Sequence, residues 1–100
     1  MRIPEPVRVL VERVRCHLVI RGRVQGVGFR YYAAHQARVL ALGGFIRNLP
    51  DGRVEGEVEG SKEAVEAFID RVRRGPAGSV VAGVDVRVID PLGEEAFRIG

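Results

Sequence analysis

Gly22-Arg23-Val24-Gln25-Gly26-Val27-Gly28-Phe29-Arg30 is the stretch on which the reading of this chain turns. Three of the first seven residues are glycine, which disfavours strand and helix alike, because each leaves backbone that an ordered element would have to fix. An alternating apolar run (Cys16, Leu18, Ile20) precedes the stretch, and a stripe at helical spacing (Phe29, Ala33, Ala37, Leu40) follows it. A glycine loop between a strand and a helix start aims several backbone N–H groups at one spot, beside the positive end of the helix dipole. Arg30, in the first helical turn, adds a guanidinium fork there. The stretch reads as a cradle for an anion. It is neither the GxGxxG dinucleotide fingerprint nor a P-loop, since no GK[ST] follows.

Working outward, the apolar alternation predicts a strand from about Arg15 to Arg21, and the stripe predicts a helix from about Phe29 to Leu42 with Gly43 as its stop. Gly44 to Asn48 reads as a second strand and Leu49-Pro50-Asp51-Gly52 as a turn. From about Arg53 to Gly60, Val54, Gly56 and Val58 alternate with Glu55, Glu57 and Glu59, which predicts one buried and one solvated face. Ser61 is a natural N-cap for a second helix, whose stripe is Val65, Phe68, Ile69 and Val72 and which Gly75-Pro76 ends. A strand from about Val80 to Asp90 is expected to bury Val84, Val86 and Val88, and Ala96 to Ile99 to close the sheet. The order β-α-β-β-α-β plus a short last strand implies an α+β, ferredoxin-like sandwich: a four- to five-stranded antiparallel sheet with both helices on one face. Residues 1–13 fit helix and strand equally well and are read as an N-terminal extension to a domain at 14–100.

The chain has 100 residues and a net charge of +3, with 46% hydrophobic and 29% charged residues, as suits one globular domain. Lys62 is its only lysine and Cys16 its only cysteine, so no intrachain disulfide forms and a reducing, cytoplasmic setting is expected. No apolar run reaches the ~18 residues of a membrane span. His17 and His35 lack partners at ligand spacing, so no metal and no cofactor is expected. Cys16 reads as a core thiol, because a phosphatase cysteine needs an arginine six residues on and Gly22 stands there. The mild positive charge fits a small anionic substrate better than a nucleic acid. Nothing in the pattern demands a partner, and a monomer is expected.

Asn48, at the end of the second strand, is by itself an ordinary turn-capping residue. The two motifs together are more specific. GRVQGVGFR followed by GFIRNLPDGRVE resembles the acylphosphatase family over about Arg15 to Ile99. That resemblance implies hydrolysis of an acyl phosphate to a carboxylate and inorganic phosphate. It matches Arg30 to the phosphate-binding catalytic arginine and Asn48 to the asparagine that positions the attacking water. It also matches the backbone of Gln25, Gly26, Val27, Gly28 and Phe29 to the family's phosphate-binding loop. The ending Phe97-Arg98-Ile99-Gly100 lacks the family's usual final basic or aromatic residues, which leaves open whether it supports the arginine as in relatives.

Two other readings remain at this stage. Hydrogenase maturation proteins carry similar motifs in an N-terminal domain, so a carbamoyl-phosphate-binding domain without turnover is one; the absence of a second domain or cysteine cluster favours a free-standing enzyme. An RNA-binding module of the same topology is the other, but such modules need aromatic residues on the open sheet face, where Glu55, Glu57 and Glu59 would repel phosphates.

Overall fold

A computed structural model of the protein describes residues 12–100. The elements are β1 (Arg13–Arg23), α1 (Phe29–Val39), β2 (Gly43–Asn48), β3 (Val54–Ser61), α2 (Lys62–Arg74), β4 (Val80–Ile89) and β5 (Phe97–Ile99). They form one sheet in the order β4-β1-β3-β2-β5. The four long strands pair antiparallel, and β5 joins the β2 edge in parallel, with Gly44 opposite Phe97 and Ile46 opposite Ile99. The predicted extension lies outside the described residues except at Glu12 and Arg13, and Arg13 opens β1 opposite Ser61.

The alternation in β1 and β3 sends Cys16, Leu18, Ile20, Val54 and Val58 to one face, where both helices cover them. Phe29, Ala33, Ala34 and Ala37 line the buried side of α1, and the small alanines let that helix sit close to the sheet. Val65, Phe68 and Val72 do the same for α2, with Phe68 and Phe97 rings tilted at 6.1 Å between centroids. Ser61 Oγ accepts from the Ala64 N–H at 3.2 Å, Glu63 lies in the first turn, and three arginines lie in the last. Each suits the helix end on which it stands.

Three expectations are corrected. First, α1 ends at Val39, and Ala41 rather than Gly43 takes the left-handed turn, with φ 56°. The Leu42 N–H bonds the Ala37 carbonyl at 2.8 Å and the Ala41 N–H the Arg38 carbonyl at 3.1 Å, which closes the helix one turn early. Gly43 instead starts β2, where a Cβ would overlap the Glu94 carbonyl. Second, Val86 and Val88 on β4 are exposed and Val84 is only half-buried. Five strands span roughly 19 Å, and the two helices lie over β5, β2, β3 and β1 and reach β4 only in part, so that the described residues leave much of this edge open. Third, the glutamate row of β3 is not a solvated face. Glu59 is fully buried and Glu57 half-buried, because residues 90–96 cross from β4 to β5 over the face opposite the helices, and Glu55 is half-buried between His17 and Arg47.

That crossing is built on ions. Arg15, 1% exposed, donates to Glu57 at 2.8 Å, Glu59 at 3.0 Å and Glu94 at 2.9 Å. Glu59 also accepts from Arg13 and from the Leu92 and Gly93 N–H groups at 2.7 and 2.8 Å. Burial alone would raise the Glu59 pKa, but these donors outweigh it and hold the carboxyl down at about 2. The same three carboxylates overcome the desolvation of Arg15 and hold its pKa above the ordinary value.

Candidate active site

The glycine loop, residues 24–28, leaves β1 after a register shift at Arg21/Gly22 and enters α1 through Gly28, which has φ 74° and acts as N-cap. No side chain caps this helix start and no acid stands in its first turn. Its positive end is therefore uncompensated by the chain, as an anion-binding helix start should be. Beside it lies a pocket of about 210 Å³ lined by Val24, Gly26, Gly28, Phe29, Arg30, Tyr31 and Asn48. Arg30 and Asn48, predicted from separate motifs, thus come together across α1 and the end of β2.

Each is placed by its element. Arg30 is the second residue of α1 and half-buried; its Nη1 donates to the Gly100 main-chain oxygen at 2.7 Å. Gly100 is held in turn by its N–H on the Ile46 carbonyl at 2.7 Å, so the end of the β5 segment supports the guanidinium in this chain despite its atypical sequence. Asn48 closes β2 opposite Val54, is exposed, and its carboxamide makes no hydrogen bond to the described residues. Phe29 is buried in the core and fixes the start of α1, which keeps the loop from drifting.

Gln25 and Val27 are not in the pocket wall. The Gln25 Nε2 donates to the Leu49 carbonyl at 2.8 Å and the Arg53 carbonyl at 2.9 Å, tying the glycine loop to the turn that follows Asn48. Val27 packs against the core. The two halves of the site are therefore cross-linked by one side chain, a role the sequence reading assigned only to backbone. Tyr31, 71% exposed at the rim, and Val24, buried at the floor, also went unnoticed; the signal for Tyr31 was its place beside Arg30 in the first helical turn.

Neighbouring charged groups have other duties. Arg47 pairs with Glu55 at 2.6 Å and lies over the Phe45 ring at 5.8 Å. His17 shares Glu55 at 2.9 Å; hydrogen bonding from His17, ahead of that from Arg47, keeps the Glu55 carboxyl below its ordinary pKa despite partial burial. Burial pushes the Cys16 thiol up, as for an inert core cysteine. Among the described residues no helix is long and apolar enough to cross a membrane.

A loop cradle with an arginine and an asparagine at its rim can hold a phosphoryl group and a water. The acylphosphatase family model matches residues 16–99. The chain belongs to the acylphosphatase family. It is 51% identical over 86 residues to the acylphosphatase of Moorella thermoacetica, covering 86% of this chain and 92% of that protein. It is 50% identical over 91 residues to that of Anaeromyxobacter dehalogenans, covering 90% and 98%. The crystal structure of acylphosphatase from Bacillus subtilis superposes with a TM-score of 0.85 at 35% identity, covering 87% of this chain and 98% of that one. Full-length HypF in its phosphate- and nucleotide-bound form superposes with a TM-score of 0.83 at 30% identity, over 95% of this chain but 12% of that one. Hydrolysis of acyl phosphates, the family's activity, is thus the enzymatic class of this chain.

Proposed function

We propose that the enzyme hydrolyses the carboxyl–phosphate bond with Arg30 and the amides of residues 25–29 binding the phosphoryl group and Asn48 orienting the attacking water. The observation that carries this reading is the convergence of Arg30, Asn48 and the uncapped α1 start on one pocket. Water attacks phosphorus in line, the phosphorus–oxygen bond to the acyl group breaks, and its electron pair leaves on the carboxylate. A carboxylate is a weak base, so no strong general acid is needed. Catalysis reduces to holding the phosphoryl group, spreading its charge and aligning the water. Asparagine is a poor base, and the water proton passes to a phosphoryl oxygen. The enzyme works as a cytoplasmic monomer on small acyl phosphates, without metal, cofactor or nucleic acid, and the chain before β1 is an N-terminal extension to the catalytic domain.

Steady-state turnover of benzoyl phosphate tests the roles. Arg30→Gln is expected to lose ~10³ in kcat/KM with a weaker inorganic phosphate Ki, and Asn48→Ala ~10²–10³ in kcat with that Ki unchanged. Near-normal kcat in Asn48→Ala would remove the water-orienting role. The likeness to phosphate-bound HypF supports one second reading, a carbamoyl-phosphate-binding domain without turnover. Binding of carbamoyl phosphate with no hydrolysis of it or of benzoyl phosphate by the wild type would favour that reading.

A further inference from the structure

The buried carboxylate of Glu59 is far from the pocket in the chain and does no chemistry in the reaction above, yet the segment it holds leads directly to Arg30. Arg15, Glu59 and Gly43 are register partners in one row across β1, β3 and β2, on the face opposite the helices. Residues 92–94 lie on that row. Glu59 takes the Leu92 and Gly93 N–H groups, Arg13 Nη2 donates to the Glu94 carbonyl at 2.9 Å, and Arg15 Nη2 holds the Glu94 carboxylate. Gly43 contributes by having no Cβ, since one would overlap the Glu94 carbonyl.

Beyond these anchors the strap is held by Phe97, buried against Phe68, and by its Ala96 and Phe97 carbonyls, which accept from the Gly44 N–H at 3.0 Å and Arg38 Nη2 at 3.1 Å. β5 is three residues long, pairs on one side only, and ends where Gly100 meets both Ile46 and Arg30. A parallel edge strand that short is weakly specified by its own ladder. Its place along β2 is therefore set by these contacts together with the grip on residues 92–94, which fixes where the segment enters β5, and the Gly100 oxygen follows.

We propose that Glu59 is a positioning residue for Arg30: by clamping the strap at Leu92 and Gly93 it sets where Gly100 receives the guanidinium. The proposal rests on the reading of Arg30 as the phosphoryl-binding group. Glu59→Gln keeps the size of the side chain but can no longer accept from Arg13, Arg15 and two backbone N–H groups together. A role in stability alone would lower the active fraction and leave KM and the inorganic phosphate Ki unchanged.

The experiment measures KM and kcat for benzoyl phosphate and Ki for inorganic phosphate in Glu59→Gln, Arg30→Gln and the double variant, under conditions where circular dichroism shows each folded. The expected result is a rise of roughly 5- to 20-fold in Ki and KM for Glu59→Gln, with little further loss when it is added to Arg30→Gln, because both act through one group. A folded Glu59→Gln enzyme with Ki and KM within about twofold of wild type, or effects that multiply in the double variant, would overturn it. If Arg30→Gln leaves the phosphate Ki unchanged, the reading of Arg30 fails instead, and the two failures stay distinct. Should Glu59→Gln not fold, Glu59→Asp applies the same readouts, since it keeps the negative charge beside Arg13 and Arg15 but draws the carboxylate back from the Leu92 and Gly93 N–H groups; an unchanged Ki there overturns the proposal equally.

Discussion

The backbone of Arg30 is placed by residues next to it in the chain, whereas its guanidinium is met by Gly100, 70 residues further on. On the near side, glycines permit a loop, Phe29 anchors a helix start, and everything needed lies within one motif. On the far side, a strap is gripped by Arg13, Arg15 and Glu59, which are brought together only by the sheet. The near side depends on backbone conformation and apolar burial. The far side depends on charges taken out of water, which are costly alone and tolerable only when every partner is present.

That difference predicts unequal fragility, and the largest effect should come from the far side. Arg15→Met fills a similar volume but removes the cation from three carboxylates, one of them fully buried. Breaking a buried pair by deleting one partner costs about 3–5 kcal/mol. The lower end is expected here, because Arg13 and two N–H groups stay on Glu59. Urea unfolding measures it. A loss below about 1 kcal/mol would mean that the strap is held by its backbone, and the contrast between the two sides would collapse.

Acid should sharpen the same contrast. The Glu59 carboxyl titrates at about 2 in the folded chain against an ordinary 4.5. A depressed folded pKa means that its contribution is complete above about pH 4.5 and drains away as pH falls toward 2. Glu55 and Asp51 are also held low, by hydrogen bonds from His17 and from the Arg53 N–H first among their causes, and act in the same direction. Thermal midpoints followed from about pH 5 to pH 2 should therefore fall less steeply in Glu59→Gln than in the wild type, without becoming flat. Parallel curves would show that Glu59 does not carry the acid sensitivity.

The two sides also differ in how readily the sequence discloses them. The loop and both helices are legible because each rests on spacing over a few residues, and Ser61 and Gly75 act where their chemistry says they should, whereas Asn48 joins Arg30 only through the family resemblance. The strap is not. Val and Glu alternate along β3 as they would on any half-wet strand, and nothing near Glu59 says that its wet side is roofed. The roof, Asp90-Pro91-Leu92-Gly93-Glu94-Glu95-Ala96, has no periodicity of its own. β4 misleads in the opposite sense: Val84, Val86 and Val88 alternate as core residues do, but strand order puts them at an edge that the described residues cover only at Val84. Gly43 looked like a helix stop because a glycine after an apolar stripe is the usual signal, while its actual duty depends on Glu94.

The smallest effect should come from the near side. Gly28 has φ 74°, and a Cβ there would meet nothing within 4 Å. It thus differs from Gly43, where space rather than conformation forbids a side chain. For Gly28→Ala the cost is the left-handed backbone alone, about 1–2 kcal/mol, partly offset by the lower entropy of the unfolded alanine chain, about 0.4–1 kcal/mol. A net loss of roughly 1 kcal/mol in urea unfolding is expected, well short of Arg15→Met. Activity should suffer more than stability if the loop amides bind the phosphoryl group as proposed, because relaxing φ at the N-cap swings them, and preorganised donors lose ~10-fold or more in kcat/KM when misdirected. Gly28→Ala with wild-type turnover would leave the loop as a connector and Arg30 as the sole holder of the phosphoryl group. Turnover lost in step with unfolding would mean that the near side, too, acts only through the fold.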